Sequence, residues 1–232
     1  MRLILRSLLV FSLCTTFHCI AQTNADQQPE PDIKKFSIAQ LIACFGTPGE
    51  CGDNDTWAIA DEFARRKYLA PLLQRYWKEP KFTIRVGIEY VAYRFNTPEV
   101  TLFMRRVVKE KIDDGEDRYY PINYLAKQCD RAALKDLSTG RFRGQMSGQQ
   151  YAASLELFGK CQYRPAIAHL VAELDDFSLN AVIGASDSLD ALYPDHPKFE
   201  ALKDVQKYYC ARARKEGFKV DCEHFSDASP DK

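Results

Sequence analysis

The chain has 232 residues, of which 46% are hydrophobic and 28% charged, values that are ordinary for a folded protein. Lys and Arg together number 32, as do Asp and Glu, so no net charge favours nucleic acid or an anionic membrane. We therefore expect neither a nucleic-acid partner nor stable insertion into a membrane. The length permits one sizeable core or a linear array of smaller ones.

The first 25 residues have the pattern of a signal peptide. Arg2 and Arg6 make a basic start, and the apolar run that follows is too short to span a bilayer. Small residues then offer cleavage after Ala21 or after Ala25. We therefore predict an exported protein, periplasmic or secreted.

Amphipathic helical segments fill most of the remaining chain. After a leader over residues 26–35 that we expect to be disordered, apolar residues recur at helical spacing in 36–45, 54–64, 68–77, 83–95, 98–112, 119–128, 130–137, 150–158, 167–174, 179–189 and 199–215. Most connections are too short for anything but antiparallel packing, and no strand pattern has comparable weight. The fold class that follows is all-α, with a single helical domain over 36–225 and a disordered tail over 226–232.

Cysteine usage indicates disulfides. Of eight cysteines, two lie in the signal peptide, and an even number remains in an exported chain. Pairing sequence neighbours gives the simplest connectivity, although six cysteines allow many others: Cys44–Cys51, Cys129–Cys161 and Cys210–Cys222. Thiolate metal ligation would require close C-x-x-C pairs, which this sequence lacks, so we expect no metal site.

An internal period is visible near the ends of the predicted helices. Four residues there recur at an interval of 32 residues: Tyr93, Leu125, Leu157 and Leu189. Cys129 and Cys161 share that interval, so both fall in turns of adjacent units. Stacked hairpins bring equivalent turns together, which would allow these two cysteines to bond.

At these residues the chain resembles the short, bilin-lyase-like form of the HEAT repeat family. That unit has an Asp-Pro turn, Val-Arg at the start of its second helix, Ala-Ala within the helix and Leu-Gly at its end. The corresponding residues here are Glu79-Pro80, Ile84-Arg85, Ala152-Ala153 and Leu157-Phe158-Gly159. The resemblance covers residues 68–193 and implies an α-α superhelix, a HEAT/armadillo-like solenoid of antiparallel helical hairpins, with caps over 36–66 and 196–225.

Residues with catalytic or metal-binding chemistry form no motif in this sequence. His169, His196 and His224 lie in no ligand or nucleophile pattern, and we expect surface or helix-end positions for them. The acidic segment 113–117 lacks the alternating ligands of a calcium loop, so a solvated turn is the simpler interpretation, with cation binding left open. We expect no cofactor.

Stacked hairpins present the second helix of each unit on a concave face that binds extended partners. On that geometry seven polar residues point outward and line a groove: Arg85, Glu89, Asn123, Gln150, Ser154, Asn180 and Asp187. Solvation of a helix face explains any one of them equally well. In the Gly-rich connection 138–148, an aromatic residue stands between two arginines, Arg141, Phe142 and Arg143, which suits contact with an anionic or protein partner. A flexible exposed loop is the alternative there.

These patterns predict an exported, non-enzymatic repeat protein that binds another protein as an adaptor, a scaffold or an immunity-like inhibitor. Two other classes stay open. The first is an enzyme or enzyme-accessory protein of the bilin-lyase-like HEAT type, and the second is a structural protein of the cell envelope.

Overall fold

The computed structural model describes residues 31–46, 51, 56–110 and 119–223. Within those ranges the regular structure consists of eleven α-helices and short 3-10 helices, without a strand. The prediction of an all-α fold is confirmed. The signal segment with its two cleavage points, the acidic segment 113–117, His224 and the tail over 226–232 lie outside the described residues.

Each predicted segment overlaps one helix of the structure. In chain order the helices are α1 Ile38–Ala43, α2 Thr56–Arg65, α3 Leu69–Tyr76, α4 Phe82–Tyr93, α5 Pro98–Glu110, α6 Tyr119–Lys127, α7 Arg131–Leu137, α8 Gly148–Lys160, α9 Ile167–Glu173, α10 Leu179–Leu192 and α11 Leu202–Lys215.

Local sequence signals account for several of the helix starts. Ser147 begins α8 with a capping box, in which its hydroxyl accepts from the Gln150 N–H at 3.3 Å and the Gln150 side chain accepts from the Ser147 N–H at 2.9 Å. Ser37 caps α1 in the same way. Pro98 opens α5, where its missing N–H costs no hydrogen bond.

Consecutive helices pack against each other in the pairs α3–α4, α5–α6, α7–α8 and α9–α10. We call the first members of these pairs, α3, α5, α7 and α9, the first row, and the second members, α4, α6, α8 and α10, the second row. In the second row α6 contacts both α4 and α8, and α8 contacts α10. Helix α2 packs on α4, and α11 packs on α9. The hydrophobic core runs between the rows and includes the fully buried Ile88, Met104, Leu155 and Leu170.

One turn geometry recurs at four places. Lys67, Cys129, Gln162 and Gly217 adopt positive φ angles of 53°, 60°, 50° and 85°, each two residues after the end of a helix, namely α2, α6, α8 and α11. In each turn the next N–H donates to the carbonyl five residues back, at 2.8 to 3.1 Å: Tyr68 to Phe63, Asp130 to Leu125, Tyr163 to Phe158 and Phe218 to Ala213. This is the hydrogen bond of a left-handed helix C-cap. The sequence hardly displays this structural repeat, since only one of the four residues is glycine.

The six cysteines of the predicted mature chain form three pairs at disulfide distance, and the pairs join sequence neighbours as predicted. The Cα atoms lie 5.6 Å apart in Cys44–Cys51, 5.3 Å in Cys129–Cys161 and 6.2 Å in Cys210–Cys222. Cys129 follows α6 and Cys161 follows α8, so this pair joins the equivalent turns of two neighbouring hairpins.

Helices α8 and α10 approach each other more closely than side chains usually permit. A methyl group on Gly184 of α10 would lie 2.6 Å from the carbonyl oxygen of Ala152, and one on Gly159 of α8 would lie 2.8 Å from the Cα of Ser188. The Gly159 N–H donates to the Ser188 hydroxyl at 3.0 Å, and that hydroxyl donates to the Leu155 carbonyl at 2.5 Å. Glycine at both crossing points allows the two backbones to touch.

The prediction of a disordered leader over 26–35 is wrong at its last residues. Residues 33–35 form a 3-10 helix, and Ile33 is buried with 8% of its surface exposed. Arg66, just after α2, donates to the carbonyls of Lys34 and Phe36 at 2.9 and 2.5 Å. The folded domain therefore begins before residue 36.

Candidate binding face

Three of the seven predicted groove residues are buried rather than outward. Glu89, Asn123 and Ser154 are each 2% exposed. The prediction that they line a solvent-accessible groove is wrong, because each side chain is buried and hydrogen-bonded to another side chain of the protein. The Tyr76 hydroxyl donates to the Glu89 carboxylate at 2.6 Å.

Asn123 and Ser154 belong to a hydrogen-bonded chain that crosses the second row. The Tyr93 hydroxyl of α4 donates to the Asn123 carbonyl oxygen at 2.6 Å, and the Asn123 amide donates to the Ser154 hydroxyl of α8 at 2.8 Å. Burial raises the pKa of Tyr93 to about 12, so its hydroxyl keeps the proton that it donates. We call Tyr93, Asn123 and Ser154 the polar ladder. It stabilises the contact of three helices and leaves no free polar group at these positions for a partner.

The other four predicted groove residues have mixed roles. Arg85 donates to the carbonyls of Glu79 and Pro80, at 2.8 and 3.3 Å, and so closes the α3–α4 turn. Gln150 is exposed, but its side chain serves the capping box of α8. Asn180 and Asp187 are exposed on α10, and Asp187 lines a groove. Of these four residues, only Asn180 and Asp187 are exposed without a described structural role.

The exposed face of the second row is aromatic at its N-terminal end. Trp57 of α2 and Phe82 of α4 are each 42% exposed, although both are large apolar side chains. Tyr90 of α4 meets Trp57 edge-on at 5.4 Å between ring centroids and meets Tyr120 of α6 at 5.2 Å and 90°. The Arg94 guanidinium lies 3.7 Å above the Trp57 ring. Beside these rings is a pocket of about 410 Å³, whose nine lining residues carry no charge.

The same row becomes charged towards its C-terminal end. A groove of about 590 Å³ lies across α6, α8 and α10, and its charged lining residues are Lys127, Glu156, Lys160 and Asp187. Lys127 lies 4.2 Å above the ring of Tyr93, and burial there lowers the pKa of its ammonium group. We call the aromatic pocket and this groove together the second-row face.

One sequence feature that indicates this face is the apolar composition of α4, which the search for outward polar residues did not take into account. Helix α4 is apolar nearly all round, and its buried stripe contains Ile84, Ile88 and Val91. Phe82 and Tyr90 fall outside that stripe; Phe82 is exposed, and Tyr90 is half-buried against Trp57 and Tyr120. A helix with more apolar surface than its core contact uses is typical of a binding surface.

The predicted contact loop is held against the protein. Phe142 is 4% exposed and is part of the core, so it offers no aromatic surface to a partner. Arg141 forms an ion pair with Asp136 at 3.4 Å, and Arg143 forms one with Asp176. Of these three predicted contact residues, only the arginines keep exposed surface. The prediction is therefore wrong for Phe142.

Arg143 reaches a buried polar cluster between α8 and α9. The Tyr151 hydroxyl and His169 Nε2 are 3.3 Å apart, and His169 Nδ1 lies 3.8 Å from a Glu173 carboxylate oxygen. The second Glu173 oxygen lies 3.5 Å from Arg143. The His169 side chain is only 15% exposed, so the expected surface position for it is wrong. His169 and Glu173 are four residues apart on one helix, a spacing that is visible in the sequence.

Burial shifts the pKa values of two groups in this cluster, His169 and Glu173, in opposite directions. Removal from water, with the nearby positive Arg143, lowers the pKa of His169 from 6.5 to about 4. Removal from water also raises the pKa of the Glu173 carboxyl above its ordinary value. The folded protein therefore holds His169 neutral at neutral pH.

We expect His169 to make the fold less stable in mild acid. The unfolded chain takes up a proton near pH 6.5, whereas the folded chain does so only near pH 4, so stability is lost as the pH falls between these values. Between pH 7 and pH 5 the loss from His169 is about 2 kcal/mol. Protonation of Glu173 acts in the opposite direction, because its folded pKa is raised.

The measurement is urea unfolding of the wild type and His169→Gln at pH 7 and pH 5. Gln retains a polar partner for Tyr151 but does not titrate. We expect the wild type to lose more stability than the variant over this interval. Equal losses in the two proteins would contradict the assigned protonation state of His169.

Two further observations apply to the described part of the chain. No described helix has the length and apolar character needed to cross a membrane. Across residues 31–46, 51, 56–110 and 119–223, no three or more His, Cys, Asp or Glu side chains are grouped so as to hold a metal ion.

Neither a known protein family, nor a curated protein, nor a solved structure matches the chain.

Proposed function

We propose that this is an exported, non-enzymatic repeat protein of HEAT type whose second-row face binds an extended segment of another protein. The observation that carries the proposal is the exposed aromatic end of that face. Trp57 and Phe82 are held on helices and remain 42% exposed, beside Tyr90, Tyr120 and an uncharged pocket. Tryptophan, tyrosine and arginine are the residues that most often dominate binding at protein interfaces.

The size of the face suits an extended polypeptide. Packed helices lie 8–10 Å apart, so the four helices of the second row span roughly 25–30 Å. An extended chain rises about 3.3 Å per residue, so about eight residues would cross the face. An apolar or proline side chain would enter the aromatic pocket, and charged side chains would pair with Lys127, Glu156, Lys160 and Asp187.

The exported and HEAT-like parts of the proposal draw on different support. Three cysteine pairs at disulfide distance are typical of proteins outside the reducing cytosol. Consecutive helices packed in pairs, with one recurring turn geometry, are consistent with an α-α superhelix.

Capture from the exported fraction of the source cells tests the proposal. The bait is the oxidised protein from Asp26 onward, and mass spectrometry identifies what it retains. We expect one dominant protein whose capture falls at least tenfold, or about 1.4 kcal/mol, with Trp57→Ala plus Phe82→Ala. Circular dichroism establishes that each variant keeps its helices.

The matched control is Leu202→Ala, which removes a side chain of similar exposure, 46%, on α11 and outside the face. It should leave capture unchanged. Capture that survives the double variant would show that the second-row face is not the binding surface. Absence of any retained protein at several salt concentrations would overturn the binding function itself.

A further inference from the structure

A second apolar groove lies on the first row, between α3 and α5. Its volume is about 490 Å³, and it is lined by residues of those two helices and of the turn after α3. Leu102 of α5 projects beside it and is 66% exposed. The floor consists of Leu73, Trp77 and Phe103, of which Leu73 and Phe103 are buried.

The floor is rigid because its rings pack on one another. Phe103 meets Tyr76 edge-on at 5.1 Å between centroids and meets Trp77 at 6.0 Å, while Tyr76 and Trp77 are 5.0 Å apart. Tyr76 is further fixed by its hydrogen bond to Glu89. The groove is therefore preformed, and a ligand need not order these side chains on binding.

Charge is distributed unequally along the groove. Glu99 lies at the end where α5 begins, and Lys78 and Arg106 lie at the opposite end, where Arg106 also forms an ion pair with Glu110 at 2.8 Å. The Arg106 guanidinium stacks 3.9 Å above the Trp77 ring. Seven residues separate Glu99 from Arg106 along one helix, a distance of about 10.5 Å at 1.5 Å per residue.

We propose that this groove binds an amphipathic α-helix of a partner protein, antiparallel to α3 and α5. Apolar anchors at i, i+3 or i+4, and i+7 of a helix span about 10.5 Å, the same distance that separates Glu99 from Arg106 along α5. An acidic residue in the first turn of the partner helix pairs with Lys78 and Arg106. A basic residue in its last turn pairs with Glu99.

Helix electrostatics favour this direction. Acidic residues are stabilising near a helix N-terminus and basic residues near its C-terminus, so the required ligand has the charge distribution that helices ordinarily carry. In the opposite orientation the same helix would place like charges together at both ends. The apolar floor accepts a helix in either direction, and the charges of the groove favour one of the two.

This groove goes beyond the proposed function because it is a separate surface. Its lining residues belong to α3, α5 and the turn after α3, whereas those of the second-row face belong to α2, α4, α6, α8, α10 and the turn after α1. The two surfaces therefore share no lining residue. Both can be occupied at once, and the protein would then join two partners.

Two synthetic helical peptides of identical composition test the proposal on the oxidised full protein. Both contain the same leucines, glutamates and lysines; one has its leucines at i, i+4 and i+7 with glutamates in the first turn and lysines in the last, and the other has the leucines moved off that face with the charges unchanged. Fluorescence anisotropy measures their affinities. We expect the first peptide to bind at least fivefold more tightly, and Leu102→Gln to weaken it at least tenfold. Leu179→Gln, which changes a similarly exposed leucine on α10, should have no effect.

The double variant Lys78→Glu with Arg106→Glu should weaken the first peptide at least fivefold, because it makes both ends of the groove acidic. Failure of the first peptide to bind at millimolar concentration, equal affinities of the two peptides for the wild type, or an unchanged affinity of the first peptide for the double variant would each overturn the proposal. Neither variant touches the second-row face, so capture of a partner there should persist. Loss of that capture in Trp57→Ala plus Phe82→Ala leaves the peptide result unaffected, so the two surfaces are tested separately.

Discussion

Replacing Cys129 and Cys161 together with alanine is expected to lower the free energy of unfolding by about 4 kcal/mol. The bond closes a loop of 32 residues, and the restriction of the unfolded chain grows with the logarithm of loop length. It also joins the turns after α6 and α8, so its loss removes the covalent link between these two turns. Urea unfolding of the oxidised proteins measures the difference.

The matched control is the removal of Cys44–Cys51, which closes a loop of only 7 residues. The same chain-entropy estimate gives a loss of about 2 kcal/mol for that pair. The Cys129–Cys161 variant should therefore be the less stable of the two. The reverse order would contradict the explanation by loop length.

Replacing Gly184 with valine is expected to destabilise the fold by about 3 kcal/mol. The new side chain would collide with the backbone of Ala152, which cannot rotate away as a flexible side chain would. Helices α8 and α10 would have to separate, with loss of the Gly159–Ser188 hydrogen bond. In a chain of this size the change corresponds to a fall of roughly 6–12 °C in Tm.

Gly144→Val provides the comparison, because a Cβ at Gly144 meets no atom within 4 Å. We expect its Tm to stay close to that of the wild type. Thermal unfolding followed by circular dichroism measures both variants. A Gly184 variant as stable as the Gly144 variant would show that the α8–α10 contact tolerates wider spacing.

The helices and the cysteine pairs were predictable because their signals are local or regular. The 3.6-residue recurrence of apolar side chains gives a helix whatever its neighbours are, and Ser37 and Ser147 carry their capping partners three residues away. The common 32-residue interval placed Cys129 and Cys161 in equivalent turns. These features need no knowledge of the tertiary structure.

The binding face was mispredicted because a polar residue in a sequence does not reveal its partner. Glu89, Asn123 and Ser154 were each expected on an outward helix face, yet each makes a hydrogen bond with a side chain of another helix. The partners of Glu89 and Asn123 include the hydroxyls of Tyr76 and Tyr93, which lie on other helices and are distant in the sequence. When polar side chains turn inward, apolar ones such as Phe82 remain outside.

Phe142 was misplaced for a related reason. The Gly-rich connection 138–148 has the composition of an exposed loop, but the core under α8 accepts one aromatic side chain from it. The arginines on either side then reach Asp136 and Asp176. Composition describes the average exposure of a loop and not the position of each residue within it.

The polar ladder also has a consequence for how the chain assembles during folding. Arrays of similar hairpins risk joining units in the wrong order, because the apolar surfaces of one unit fit those of several others. Asn123 needs an acceptor for its amide and a donor for its carbonyl oxygen, and Ser154 and Tyr93 supply these on opposite sides. Any other order of the second-row helices would bury Asn123 without one of these bonds. The ladder therefore favours the native order of α4, α6 and α8 over other orders of the second-row helices.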